Sequence, residues 1–230
     1  MDSVLVTGAS GGIGRAVSQV LLRRGLRVFG VGRDFSTEPI ESDHFIPIIY
    51  DLKNTQGLAS LVKEIKSQGP VTGLVNCAGV GYYGLHETLN PQKIHEMVAV
   101  NLETPMILSQ LLLRDLKSAG GFLINISSVT ALHESPHGCA YGATKAGLTS
   151  FGESLFAEAR KYGVRVVTIH PDMTKSNFYR NADFCEGTEK DTYLEPEEVA
   201  AAVEMALDAR DGLVMREITI CPQKHQIRRK

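Results

Sequence analysis

Short runs of aliphatic and β-branched residues alternate along this chain with longer segments whose apolar positions recur every three or four residues. SVLVT (3–7) predicts a strand. In IGRAVSQVLLRRG (13–25), Ile13, Val17, Val20 and Leu21 form one helical stripe, and Gly25 can end the helix. LRVFGVG (26–32) and HFIPIIYD (44–51) predict two further strands; Pro47 cannot donate to a ladder, so the second belongs at an outer position. TQGLASLVKEIKSQG (55–69) reads as a helix and TGLVNCAG (72–79) as a buried strand running into a glycine turn. A long helix over 91–118, a strand at GFLINISS (121–128) and a second long helix over 138–161 come next. VRVVTIHP (164–171) and REITICP (216–222) are strands, separated by EPEEVAAAVEMALDA (195–209), whose Pro196 and glutamates suit a helix start.

Strands alternating with helices imply right-handed crossovers and a mostly parallel sheet covered on both faces. The expectation is a Rossmann-type, doubly wound α/β fold with seven strands. No linker, repeat or low-complexity tract divides the chain, so residues 1–230 should form one domain. The long stretch DMTKSNFYRNADFCEGTEKDTYL (172–194) has no firm period, and loops of that length are commonly functional; a lid over a ligand is expected there.

Composition narrows the partners. Hydrophobic residues make up 43% of the 230 positions and the net charge is −2, so no general attraction to nucleic acid or a membrane surface is expected. The basic tail Arg228-Arg229-Lys230 is too short to alter that and reads as a solvated terminus. Four scattered cysteines, at 77, 139, 185 and 221, suggest neither a metal site nor a disulfide framework. With no visible signal peptide and no apolar run of spanning length, a cytoplasmic protein is expected.

The chemistry begins at VTGASGGIG (6–14), where glycines between a strand and a helix open the backbone to an anion at the helix N-terminus. Its spacing is G-x-x-x-G-x-G, carried by Gly8, Gly12 and Gly14, and by itself it suits a tight turn as well as a diphosphate. NCAG (76–79), Asn101, NISS (125–128) and YGATK (141–145) follow in order. Tyr141 and Lys145 lie one helical turn apart, where an ammonium can lower the phenol's pKa and favour proton transfer. Ser128, at a strand end, can donate a hydrogen bond to a substrate oxygen as charge develops.

Taken together, these motifs resemble the short-chain dehydrogenases/reductases, from about residue 3 to 222. The resemblance implies an NAD(P)-dependent oxidoreductase that interconverts a carbonyl and a secondary alcohol. In it Tyr141 would be the general acid/base, Lys145 would tune it and hold the nicotinamide ribose, Ser128 would orient substrate, and Asn101 would link the lysine to a proton relay. Ser128 is preferred to Ser127 on the family's spacing to the tyrosine. The coenzyme would contact Gly8, Ser10, Gly12, Ile13 and Gly14 at its phosphates, Asp51 and Leu52 at the adenine, and Asn76, Ala78 and Gly79 at the adenosine ribose. Pro171 and Ser176 belong to the segment that meets the nicotinamide amide. Asp172 and Cys77 depart from the family's residues.

Asp34 has the loose spacing of a carboxylate that binds a free ribose 2′-hydroxyl. The family's acidic position, however, is Gly32 here, and Arg33 follows, so NADP is favoured over NAD. A small-molecule carbonyl or alcohol should meet the lid, where Phe178, Tyr179, Phe184 and Tyr193 supply an aromatic cover, while His133 and His137 read as loop residues. The long helices resemble those that pair subunits in the family, implying a homodimer or homotetramer. Two rival readings remain at this point: a non-catalytic NADP-binding regulator, and an epimerase or dehydratase on the same scaffold.

Overall fold

In the computed structural model, which describes residues 1–230, seven strands form one parallel sheet. The elements are β1 (Ser3–Thr7), α1 (Gly12–Arg23), β2 (Arg27–Gly32), β3 (Phe45–Ile49), α2 (Leu58–Ser67), β4 (Val71–Asn76), α3 (Pro91–Val98), α4 (Thr104–Ala119), β5 (Phe122–Ile126), α5 (Cys139–Ala159), β6 (Arg165–Pro171), β7 (Phe184–Glu186), α6 (Pro196–Leu207), β8 (Glu217–Ile220) and β9 (Ile227–Arg229). The sheet order is β3-β2-β1-β4-β5-β6-β8, so the chain reverses direction across the sheet between β1 and β4. Ligands of doubly wound sheets bind at that switch point, outside the strands' carboxyl ends. Pro47 lies in edge strand β3, where its missing N–H costs no ladder bond.

Burial follows the two faces. α1 and α6 cover one core, with Val17, Leu21, Val199 and Val203 against Val4, Val6 and Ile124. On the other face, α2, α4 and α5 contribute Leu61, Leu108, Leu112, Leu116 and Leu155 against Leu5, Phe29, Leu74 and Leu123. Side chains of β1 go alternately to the two cores, as the two-residue strand period requires. Truncating a fully buried leucine such as Leu112 to alanine costs about 2–5 kcal/mol. α6 opens with a reciprocal capping box, in which the Glu195 N–H donates to the Glu198 carboxylate at 2.8 Å.

Two expectations need correction. The helix foreseen over 91–118 is divided into α3 and α4 by a wide π-helical turn at Ala99–Glu103. Pro105 supplies the reason: its ring crowds the carbonyl four residues back, at Asn101, and it has no N–H to offer that carbonyl. The basic tail is not merely a solvated terminus either. Although its side chains are exposed, its backbone forms β9, which pairs antiparallel with β7 inside the 172–194 segment.

That segment has more order than its sequence pattern suggested. A parallel bridge joins Thr174 to Leu194, and 3-10 turns occupy Asn177–Asn181 and Lys190–Thr192. Lys224 pairs with Asp191 at 2.7 Å, and the Lys230 N–H donates to the Asp183 carbonyl at 2.8 Å.

Candidate functional site

The carboxyl ends of β1, β2, β4, β5 and β6 open into one cleft of about 810 Å³. At its floor Gly8 adopts φ +71°, and a side chain there would come within 2.9 Å of the Ala78 backbone. A side chain at Gly14 would overlap the Gly8 carbonyl oxygen. These two glycines are therefore demanded by the protein's own backbone: Gly8 where the turns after β1 and β4 meet, and Gly14 where α1 packs on the turn after β1. Gly11 is different. A side chain on it would meet nothing within 4 Å, because it faces the open cleft. It is also the N-cap of α1, with no side-chain cap and no acidic residue in the first turn. The uncapped N–H groups and positive dipole end leave room for an anion.

The other wall is built on α5. Tyr141 and Lys145 are both buried, and the ammonium lies 5.9 Å from the phenol ring's centroid. Lys145 Nζ donates to the Ile126 carbonyl at 2.8 Å. Burial pulls its pKa down to about 8, while Cys77 close by acts in the opposite direction. Burial likewise pushes the Cys77 thiol up to about 12, which keeps it neutral and unreactive. The Tyr141 phenol is held above its ordinary value by burial, with the Ser128 hydroxyl opposing that shift. The lowering by Lys145 expected from their spacing is not found: burial sets the direction of the shift, and the opposing influence is Ser128.

Ser127 and Ser128 part company at the end of β5. Ser127 Oγ donates to the Lys145 carbonyl at 3.1 Å and meets Thr149 Oγ1 at 3.0 Å, anchoring α5 to the sheet. Ser128 is the one near the phenol; its hydroxyl accepts from Thr130 N–H at 3.2 Å. Behind it stands His170, fully buried, with Nδ1 3.3 Å from the Ser128 carbonyl oxygen and Nε2 3.6 Å from Glu217 Oε2. No motif flagged His170, yet a histidine before the proline that closes β6 was readable from the chain.

Most residues expected at a coenzyme do line the cleft: Gly8, Ser10, Gly12, Ile13, Gly14, Arg33, Asp51, Leu52, Ala78, Gly79, Tyr141, Lys145, Pro171 and Ser176. Asn76 does not. It is buried within the sheet, donating from Nδ2 to Asn125 Oδ1 at 2.9 Å, so its side chain ties β4 to β5 behind the cleft wall. Asn101 is also set back, fully buried: its amide brackets Val80, accepting from that N–H and donating to that carbonyl at 2.9 Å each, and reaches Thr144 Oγ1 at 3.1 Å. It fixes the turn after NCAG to α5. Arg15, Thr37 and Glu38, in the cleft, were not foreseen; the Arg15 guanidinium lies 3.6 Å from Glu38.

At the far end, Gly32 is pinned: a side chain there would come within 2.7 Å of Ser10. Exposed Asp34 turns back on its own loop, accepting from the Ser36 N–H at 2.8 Å, a bond that lowers its pKa. Arg33 is exposed into the cleft and forms no ion pair.

Residues 2–184 match the family described as short chain dehydrogenase. The chain belongs to that family. Among short-chain dehydrogenase relatives, an uncharacterized short-chain type dehydrogenase/reductase from Sinorhizobium fredii is 28% identical over 96% of this chain and 91% of its own. The 3-oxoacyl-[acyl-carrier-protein] reductase of Vibrio cholerae is 31% identical over 75% of each chain. The fold superposes on an alcohol dehydrogenase from Thermococcus sibiricus, complexed with 5-hydroxy-NADP, with a TM-score of 0.87 at 24% identity, covering 98% of this chain and 99% of that one. A metagenomic short-chain oxidoreductase in complex with NADP gives 0.81 at 27% identity, covering 96% and 97%. Both superpositions extend over nearly all of this chain and so take in its seven-stranded, Rossmann-like sheet.

Proposed function

We propose that this protein is an NADP-dependent oxidoreductase that interconverts a carbonyl compound and a secondary alcohol, with Tyr141 as general acid/base. The observation that carries the reading is the placement of buried Tyr141 and Lys145 across one cleft from the uncapped first turn of α1. Gly11 leaves space for the diphosphate, and Lys145 stands beside Gly79, where a ribose hydroxyl can replace the Ile126 carbonyl as its partner. Unpaired Arg33 suits a 2′-phosphate. Gly32 favours the same coenzyme for a steric reason, since Ser10 leaves no room for a carboxylate at that position.

When bound, the reduced coenzyme supplies the hydride that the carbonyl carbon accepts. Tyr141 holds the proton that passes to the carbonyl oxygen, leaving a phenolate that recovers its proton from solvent. The neutral phenol favoured by burial is the form that can donate. A phenolate formed in this setting is stabilised by the nearby ammonium and by Ser128. In the alcohol-oxidising direction each transfer reverses. Only a buried, low-dielectric wall makes Lys145 strong enough in this role, because the same charge in water would be screened.

Activity should be measured with NADPH and NADH against a carbonyl panel, on the native chain and on Tyr141→Phe. Loss of the phenol proton should lower kcat about 100-fold or more without weakening coenzyme binding. Oxidation of NADPH at an undiminished rate by Tyr141→Phe would reject the role, and NADPH binding without any turnover by the native chain would favour a regulator. The outer faces of α4 and α5, with exposed Met106 and Ala146, would pair two copies as a dimer or tetramer, which light scattering reads directly.

A further inference from the structure

Between Tyr141 and the lid the chain gathers its aromatic side chains into a single collar. Phe178 lies 5.6 Å from Tyr141 and 5.3 Å from Tyr179, ring centre to ring centre. Tyr83 meets Tyr141 at 5.7 Å and Phe184 at 5.0 Å, and Tyr179 meets Phe184 at 5.5 Å. The Phe178–Tyr179 and Tyr83–Phe184 pairs are edge-to-face, the arrangement that ring quadrupoles favour. The collar closes over the reactive phenol, which is only 6% exposed.

Phe178 is the collar ring that stands against Gly79, on the side of the cleft where the proposed coenzyme would lie. A side chain on Gly79 would lie 3.4 Å from its ring and 3.7 Å from Lys145 Nζ, so ring and lysine flank the same strip of the cleft floor. If a bound coenzyme moves that ring aside, Tyr141 and Tyr179 are each left short of an aromatic neighbour. A flat ring on the substrate can restore both contacts, whereas a saturated ring is too thick and has no quadrupole. The collar's own rings carry no charge, so an anion seated among them would lose its water without gaining a cationic partner there. Lys175 and Arg180 also line the cleft, but Lys175 lies 3.8 Å from Glu195 and Arg180 donates to the Asn177 carbonyl at 3.1 Å. Burial holds the Tyr179 phenol neutral, and Asp172 and Glu186 act in the same direction.

We propose that the substrate is a flat, uncharged aryl carbonyl or the matching aryl carbinol, whose ring takes the place of Phe178 against Tyr141 and Tyr179. This rests on the oxidoreductase reading above, but it can fail separately. The carbonyl would be conjugated to, or one bond from, the ring, since the phenol that protonates it also forms the pocket wall.

The test uses full-length protein saturated with NADPH, titrated calorimetrically with 1-phenylethanol, 1-cyclohexylethanol and 4-(1-hydroxyethyl)benzoate. These share one carbinol and differ in flatness or charge, and none requires turnover. The phenyl compound should bind about five- to tenfold tighter than the cyclohexyl one, the size of one or two aromatic contacts. The benzoate should bind more weakly than either. Tyr179→Leu should bring the phenyl-to-cyclohexyl ratio close to one. Equal or reversed affinities in the native protein, or tight benzoate binding, would overturn the proposal. Should NADPH itself not bind, the oxidoreductase reading falls. The same three alcohols on coenzyme-free Phe178→Ala, in which the ring's place is open, then decide the collar's preference alone, with a flat order rejecting it.

Discussion

The coenzyme half of the cleft and the lid half are built by opposite means. Around the glycine loop, backbone meets backbone: Gly8 against Ala78, Gly14 against Gly8, and Thr7 Oγ1 accepting from the N–H groups of Cys77 and Ala78 at 3.0 Å each. Such contacts have one solution. Over the lid, side chains meet side chains, and the segment is fastened by a three-residue ladder and exposed ion pairs. Contacts of that kind can be made and broken within turnover. The difference teaches that the glycine half, where we place the coenzyme, has one geometry, while the lid half can adjust.

The sharpest break of the comparison is a pair of alanines three residues apart. Gly14→Ala places a methyl group on the Gly8 carbonyl, so α1 must separate from β1. Coenzyme binding should be lost and the melting temperature should fall by several degrees. Gly11→Ala meets no atom of the protein, so its melting temperature should stay within about a degree while NADPH affinity falls about tenfold or more. If both variants melt alike, backbone contact is not what sets this half.

A smaller effect separates the coenzymes. Removing a charge-assisted contact to phosphate costs about 1.5–3 kcal/mol. Arg33→Ala should therefore weaken NADP by about 10- to 100-fold and leave NAD nearly unchanged. Equal losses for both coenzymes would move the guanidinium's role from the 2′-phosphate to general stability of the loop.

Lys145 gives the comparison a pH axis. Its ammonium, ordinarily lost near pH 10.5, is lost near pH 8 because it is buried. The charged form prevails below that value and is the one that grips a ribose hydroxyl. Affinity for NADPH should hold between pH 6 and 7.5 and then weaken, by up to about tenfold per pH unit, as the pH rises past 8. Lys145→Met should bind more weakly throughout and show no such slope. A native affinity that stays level to pH 9.5 would mean that the ammonium is not engaged.

How much of this could be read from the residues divides along the same line. Every strand of the sheet was visible because apolar runs interrupted by glycine have few alternatives, and Pro47 even marked the edge. The π-helical turn was missed although Pro105 announced it, since an apolar stripe continues on either side. Asn76 was placed at the coenzyme by family pattern, but its partner Asn125 is 49 residues away and only the strand register brings them together. The collar was half legible: Phe178, Tyr179 and Phe184 stood out in the lid, while Tyr83, without motif or period, did not. The pairing of β7 with β9 could not be foreseen, because each strand is only three residues long and neither alternates.

That pairing offers the mildest and most selective test. Deleting residues 224–230 removes β9, the Lys224–Asp191 ion pair and the bonds from Lys230 to Asp183 and Tyr179, while leaving β8 and the main sheet whole. The lid loses its outer fastening, and a looser lid holds a substrate ring less well without altering the phosphate loop. KM for the carbonyl should rise about fivefold, with the NADPH dissociation constant and the melting temperature nearly unchanged. A loss of coenzyme affinity as large as the loss in KM would show that the two halves are one mechanical unit. An unchanged KM would show that Thr174 and Leu194, bridged at the lid's base, fasten it sufficiently by themselves.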